Sequence, residues 1–379
     1  MISVEIVESK KQRKEFADFP GELYKGHPYY IPCFYSDTMT SMDPRKNPSL
    51  EYSEARFFLA KEDGKTVGRI GAIINHKADQ KWKNHRMRFW QVDFIDDYCV
   101  SKALFDAVEK WAVEENCDAI TGPMGFTDLD LEGMLVDGYE EYGIFCTYYN
   151  YPYYSRHLEA LGYEKEADWV EYKLDLTNND VDFSTVSRMA EFSQRVYKLH
   201  LKECSSVRDI GNAAPEIINL INLTYKDLYS TTDLDIEHGA SYFKSFQVVL
   251  NPSTSALVYN EAEELVGFVL AIPDISAAVK KSNGKIFPFG WFRILRKIKK
   301  NDEYIALLIG VHPDYQSKGV ITILINRLME GFKVVGAKTC RVCPMLEDNA
   351  KVLSLMKIAP SSAYKRRRSF IKVLKPRIE

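Results

Sequence analysis

Apolar positions along the chain switch between two spacings. Alternation every second residue marks strands, and recurrence every three to four residues marks helices. Ser3–Glu8 alternates as a first strand, and Lys10–Tyr24 follows with helical spacing. Arg56–Ala60 and Thr66–Asn75 are strand runs joined by Glu62-Asp63-Gly64-Lys65. An Asp-Gly turn between apolar runs predicts a hairpin. Met87–Phe94 reads as a further strand, and Val100, Leu104, Ala107, Val108 and Trp111 share one face of a helix over Asp96–Glu115. Ala119–Gly122 is a short strand, and Arg156–Leu161 is a helix that ends at Gly162. Tyr163–Leu176 reads as a closing hairpin.

The second half repeats this order. Phe183–Tyr197 is helical, Val196–Leu201 is strand-like, and Ala213–Tyr229 is helical again. Ser255–Asn260 and Leu265–Ile272 form a hairpin, followed by a strand at Tyr304–Val311 and a helix at Val320–Val334. Thr339–Val342, Ala350–Lys357 and Ser369–Leu374 add strand, helix and strand. The pattern predicts a mixed α/β (α+β) fold of two related domains, 1–178 and 179–379, with a boundary near Asn178-Asn179-Asp180. A length of 379 residues accommodates two domains.

The segment at about 274–301 breaks the repeat. Between Ile275 and Asn301 stand eight Lys and Arg and no acid, with Phe287, Phe289, Trp291 and Phe292 among them. Four readings stand for this insertion. It is a surface helix whose aromatics pack down on the domain, a lid over an apolar substrate, a membrane-surface contact through 280–300, or a base-stacking contact to nucleic acid.

Charge sharpens the division. Residues 1–178 hold 21 Lys and Arg against 32 Asp and Glu, and the remainder holds 29 against 21. A basic second half fits an anionic ligand. The chain contains no apolar run near the roughly 18–20 residues of a spanning helix. Its start, MISVEIVESKKQRKEF, is charged within five residues and lacks the apolar core of a secretory signal. With seven cysteines, an odd number, this predicts reduced thiols and a cytoplasmic address. Cys340-Arg-Val-Cys343 lies in a strand-like run, where residues three apart point to opposite faces, so no metal is expected there.

The most specific chemistry lies at Leu308-Ile309-Gly310-Val311-His312-Pro313-Asp314-Tyr315-Gln316-Ser317-Lys318-Gly319-Val320. A strand enters a short loop that opens a helix. The free N–H groups and positive dipole end of that helix suit a pyrophosphate. Gly319 has no Cβ, so the backbone can approach a phosphate closely, and Lys318 adds a cation.

This stretch resembles motif A of the GNAT (Gcn5-related N-acetyltransferase) superfamily: a strand with Val-x-Pro-x-Tyr, then Gln/Arg-x-x-Gly-x-Gly/Ala and a helix. Gln316, Ser317, Lys318, Gly319 and Val320 match, whereas Ile321 replaces the family's small residue. Leu346-Glu347-Asp348-Asn349 before a helix resembles motif B, with Asn349 in its usual place. Met356 stands where the family often has a tyrosine acid. The first half resembles a second, degenerate GNAT domain. Its strand-to-helix joint reads Asp96-Asp97-Tyr98-Cys99-Val100-Ser101, without glycine and with two carboxylates that repel a pyrophosphate.

The whole chain, through Gly122–Gly138 and Tyr149–Tyr154, is similar to a bacterial branch with two tandem GNAT-like domains. The resemblance implies acetyl-CoA or another acyl-CoA as co-substrate, bound in the second domain by Val311, Gln316–Ile321 and Asn349. It also implies transfer to a small-molecule primary amine. Tandem GNAT halves also occur in Fem-type aminoacyl transferases, which would bring aminoacyl-tRNA to the basic insertion. A non-catalytic acyl-CoA or lipid-binding protein is the third reading.

Several side chains are candidates for proton transfer. Asp128, Asp130 and Glu132 alternate, so an extended segment would place them on one face as an amine-binding wall with one carboxylate as base. The alternative is a solvated loop or caps for neighbouring turns. Glu303, at the start of the motif strand, is a second candidate base, and Tyr304 is a candidate donor to the leaving thiolate. Tyr148, Tyr149, Tyr151, Tyr153 and Tyr154 either line an aromatic cleft or pack with their hydroxyls in water. His312 reads as a structural histidine or as one that reaches the cleft, and the run Tyr364–Arg368 reads as a solvated edge or as a contact for a CoA 3′-phosphate or lipid headgroup.

Overall fold

The computed structural model describes residues 1–177, 183–236, 239, 243, 247–358 and 360–374. The expected boundary at Asn178-Asn179-Asp180 lies outside the described residues. The chain forms two compact units. The first combines Met1–Val170, Ile275–Ile294 and Tyr364–Glu379, and the second combines Glu171–Asp274 and Leu295–Ala363. Segments 275–294 and 364–379 therefore group with the first unit, although the sequence places them in the half 179–379.

In the first unit, β1 (Ile2–Ile6), β2 (Ser53–Glu62), β3 (Lys65–Asn75) and β4 (Arg86–Phe94) run antiparallel in sequence order. The β2–β3 hairpin is the one expected from its Asp-Gly turn; Asp63 and Gly64 both take positive φ. β5 (Ala119–Gly122) lies parallel to β4. The helix Tyr98–Glu114 connects them and buries Val100, Leu104, Val108 and Trp111 on the stripe its spacing predicts. β6 (Met134–Asp137) pairs with the last strand of the chain.

The segment expected as a hairpin at 163–176 is a single strand, β7 (Glu164–Asp175). The second unit orders β8 (His200–Leu201), β9 (Ser255–Tyr259), β10 (Leu265–Pro273), β11 (Glu303–Val311) and β12 (Thr339–Leu346) as neighbours. β11 and β12 are parallel, joined by the helix Val320–Val335. Only His200–Leu201 of the strand expected at 196–201 forms, because the helix Ser184–Tyr197 runs on to its left-handed cap at Lys198.

β13 (Ser361–Val373) is longer than the expected 369–374. It pairs antiparallel with β5 of the first unit through Phe370–Val373. Its basic run is not a solvated edge. Arg366 and Arg368 both donate to Asp168, at 3.0 and 2.8 Å, and buried Arg367 donates to the Tyr148 carbonyl at 2.7 Å. Successive strand residues face opposite ways, so one Arg turns inward while its neighbours turn to the carboxylate.

Candidate functional site

Each unit carries the same irregularity on its central strand. In the second, β10 residues Leu270 and Ala271 face Leu308 and Ala306, so Leu307 is an extra residue in β11. Such a bulge bends its strand and disrupts the ladder. The parallel β11–β12 ladder runs from Glu303↔Thr339 to Ala306↔Val342 and stops, although both strands continue. Ala306–Ile309 are only half-buried in mid-strand, as expected of an edge without a neighbour. In the first unit the bulge lies in β4, where Arg69 faces Asp93 but Gly71 faces Trp90, and Gln91 takes φ +45°. There the β4–β5 ladder ends at Arg88↔Thr121.

The two units differ in what meets the freed edge. In the first, the chain itself fills it. Met124 donates its N–H to the Phe89 carbonyl at 2.9 Å, Arg88 donates to the Gly125 carbonyl at 3.1 Å, and Trp90 Nε1 donates to the Leu131 carbonyl at 3.0 Å. Phe126 packs edge-on against Trp90. In the second, the hydroxyl of Tyr225 donates to the Ile309 carbonyl at 3.0 Å. Tyr225 ends the helix Ala214–Tyr225, which packs its Ile217, Ile218, Leu220 and Ile221 inward. Sequence reading missed this tyrosine, because 84 residues separate it from its partner and no motif surrounds it.

The helix starts differ in the same sense. In the first unit Asp97 caps the helix Tyr98–Glu114 and accepts the Cys99 N–H at 2.7 Å. A carboxylate already sits where an anion would bind, and Asp96 is engaged by His157 at 3.0 Å. In the second unit Gly319 caps the helix Val320–Val335 in the left-handed conformation, φ +73°, and no side chain caps that end. The first-turn N–H groups of Val320 and Ile321 have no carbonyl one turn back. A short 3-10 turn, Pro313–Tyr315, delivers the chain to this point. His312 opens that turn and its ring accepts the Asp314 N–H at 3.2 Å, a structural role.

Around this turn the expected residues divide. Gln316 and Ser317 are exposed, and Gln316 accepts from Lys351 Nζ at 2.9 Å. Lys318 lies over the Tyr315 ring at 4.1 Å. Val320 is buried in the core against Gly267, whereas Ile321 is half-buried. Val311 pairs with Gly267 across β10. Asn349 caps the helix Ala350–Ser354 and accepts the Val352 N–H at 3.3 Å, so its side chain serves the backbone.

Glu303 and Tyr304 occupy the opposite end of β11 from the turn, eight and seven residues before Val311. Glu303 accepts from Arg341 at 3.4 Å and pairs with Lys297 at 3.6 Å. Arg341 is itself held by buried Asp274 at 2.7 Å. Tyr304 is buried against Phe332, and burial pushes its phenol up.

The acidic stretch is not an extended strand. Gly133 donates to the Pro123 carbonyl at 2.9 Å and closes the segment into a loop, and Asp130 folds back to accept the Thr127 N–H at 2.9 Å. Of the two readings for these acids, Asp130 takes the capping one. Burial raises the carboxyl of Asp130 to about 6, and Glu132 rises well above the usual carboxylate range from burial and the Asp128 charge. The tyrosine cluster is core rather than cleft at its centre. Tyr154 stacks on Phe94 and joins Tyr24, Asp93 and Arg69 in a buried hydrogen-bonded chain.

Residues 214–358 match the acetyltransferase (GNAT) family. That segment carries a GNAT domain. The chain is 25% identical over 370 residues to protein YghO of Escherichia coli, covering 96% of this chain and 93% of that one. It is 25% identical over 325 residues to a bacterial ceramide synthase of Caulobacter vibrioides, covering 83% and 82%. Among solved structures, a tandem GNAT protein from the clavulanic acid biosynthesis pathway aligns over both whole chains with a TM-score of 0.57 at 12% identity. A GCN5-related N-acetyltransferase from Sphaerobacter thermophilus aligns over 100% of this chain and 97% of its own, with a TM-score of 0.55 at 10% identity. The GNAT fold thus runs through the full chain, and the expected pair of GNAT-like domains is present.

Proposed function

We propose that this chain is an acyl-CoA-dependent N-acyltransferase whose co-substrate binds in the second unit. The uncapped helix start behind Gly319 carries the reading, since its free N–H groups fit a pyrophosphate where the first unit holds a carboxylate. On its β12 side the ladder of β11 stops at Ala306, and the backbone edge beyond it is the proposed seat of an extended pantetheine arm. The amine nitrogen attacks the thioester carbonyl carbon, the C–S bond breaks, nitrogen loses a proton and the thiolate gains one. Tyr225, at Ile309 on that edge, is the proposed donor to the thiolate, since Tyr304 is buried against Phe332. Glu303 is not the base for that thioester, since it lies roughly 20 Å along the strand from Ile309 and is held by Arg341 and Lys297; the amine proton passes to water.

The ceramide synthase name of one relative favours a long-chain amine as acceptor, because forming a ceramide is N-acylation of such an amine. Thermal unfolding with CoA, acetyl-CoA and a long-chain acyl-CoA tests the donor. A ligand at about a hundredfold its Kd stabilises by about 2.7 kcal/mol. Ser317→Glu places a carboxylate at the exposed turn without straining Gly319, and removes the shift. No shift with any acyl-CoA in the native chain sinks the proposal. Thiol release on adding a long-chain amine then separates an enzyme from a binding protein.

A further inference from the structure

The basic insertion is firmly attached at its start. In the helix Ser276–Lys281, Ser276 Oγ accepts the Phe145 N–H at 3.0 Å, and Lys280 donates to the carbonyls of His27, at 3.0 Å, and Pro28. The Gly284 carbonyl accepts the Tyr35 N–H at 3.0 Å. Gly284 takes φ +69°, and a Cβ there would lie 2.1 Å from the Cys33 carbonyl oxygen. Lys285 completes the attachment with Asp18 at 3.1 Å. All these partners belong to the first unit.

Beyond Lys285 the chain holds itself together. Trp291 donates its backbone N–H to Ile286 at 2.8 Å and its ring N–H to the Pro288 carbonyl at 2.9 Å. Arg293 reaches back to the Lys281 carbonyl at 2.9 Å. The result is a preformed knuckle leading into the helix Gly290–Lys299, which turns Gly290 and Ile294 inward.

The aromatics do not pack down. Phe287 is 77% exposed, Phe289 70%, Trp291 46% and Phe292 56%. Four large exposed rings within six residues are not the scattered apolar side chains of an ordinary surface. Arg296, Lys299 and Lys300 are exposed on the same helix and its end, and no acid stands between Ile275 and Asn301. Exposed apolar rings followed along the chain by exposed cations match the boundary of an anionic bilayer, where aromatics sit at headgroup depth and Lys and Arg meet phosphates. No helix among the described residues is long and apolar enough to cross a membrane, so such contact is peripheral.

We propose that residues 286–300 form a docking surface for an anionic lipid bilayer, with Phe287, Phe289, Trp291 and Phe292 inserted and Arg296, Lys299 and Lys300 at the headgroups. This does not rest on the acyl-transfer reading.

Flotation of the full chain with vesicles of phosphatidylcholine alone, or with one-third phosphatidylglycerol, tests it. The native chain binds the anionic vesicles, and binding falls as salt is raised from about 0.05 to about 0.5 M. Phe287→Ser/Phe289→Ser lowers the partition constant about tenfold. Arg296→Glu/Lys299→Glu/Lys300→Glu lowers it at least about a hundredfold. All these positions are exposed, so the Tm of each variant stays close to native. The proposal falls if the native chain stays off anionic vesicles, or if both variants bind as the native chain does. It also falls if single-stranded RNA is retained instead of vesicles and lost in the same variants. Thiol release with a water-soluble amine is read separately, so failure of acyl transfer and failure of docking are distinguishable.

Discussion

Gly319 and Ser193 touch: a Cβ built on residue 319 would lie 2.0 Å from the Ser193 hydroxyl oxygen and 2.8 Å from its Cβ. Ser193 is buried on the helix Ser184–Tyr197. The glycine is thus fixed twice, by its positive φ and by the helix behind it. Gly319→Ala is expected to destabilise by about 2–4 kcal/mol, combining left-handed strain with overpacking. In a Ser193→Gly background the overpacking part shrinks and the strain of about 1–2 kcal/mol remains. Urea unfolding of the four chains in a double-mutant cycle measures this. Equal penalties in both backgrounds would show that the contact is relaxed at no cost.

Tyr225→Phe separates a proton donor from a structural prop. If the hydroxyl protonates the thiolate, kcat falls about a hundredfold, KM for acyl-CoA stays within about threefold, and the alkaline limb of the rate profile changes. Loss of the bond to Ile309 alone destabilises by about 1 kcal/mol. A variant with lowered Tm but an unchanged pH profile assigns Tyr225 to holding the strand.

Asp130 gives a pH-dependent term in stability. Burial raises its carboxyl to about 6 from an ordinary 3.8. The native state therefore binds this proton more tightly than the unfolded chain does. Stability from this group is present below pH about 4 and is lost as pH rises towards 6. Asp130→Asn keeps the oxygen that accepts from Thr127 and removes the titration. Its Tm is expected to gain on the native chain between pH 4 and 6, and a constant difference across that range counts against the shift.

The Arg341–Asp274 pair is buried on both sides. Asp274→Ala removes the carboxylate at 2.7 Å while Glu303 remains at 3.4 Å, and is expected to destabilise by up to about 3–5 kcal/mol. Arg341→Met combined with Asp274→Leu recovers most of that loss, since no charge then remains buried. Chemical denaturation of the two variants checks the ordering.

Much of this architecture is legible in the sequence because it is local. The Asp63-Gly64 turn specifies the β2–β3 hairpin, and the spacing of Val100, Leu104, Val108 and Trp111 specifies one helix face. The glycine at 319 announces the strand-to-helix turn at Gln316–Val320, and the absence of glycine at Asp96–Ser101 marks the first unit as different. Other features were hidden. Asp128, Asp130 and Glu132 alternate as a strand would, yet the hydrogen bond between Gly133 and Pro123 bends them into a loop. Aromatic rings at 287–292 read equally well as packed or exposed, because amphipathic spacing does not say what lies alongside.

The sequence by itself determined the repeated element order, the switch between strand and helix periods, and the strand-to-helix turn at Gln316–Val320. These follow from backbone geometry within a few residues. Tertiary structure alone decided that β13 returns to β5, with Arg368 meeting Asp168 200 residues away. It also decided that the edge of β4 is filled by residues 124–131, while that of β11 receives the hydroxyl of Tyr225. Such choices depend on which distant groups satisfy a strand's free N–H and C=O, and no local period encodes that partner.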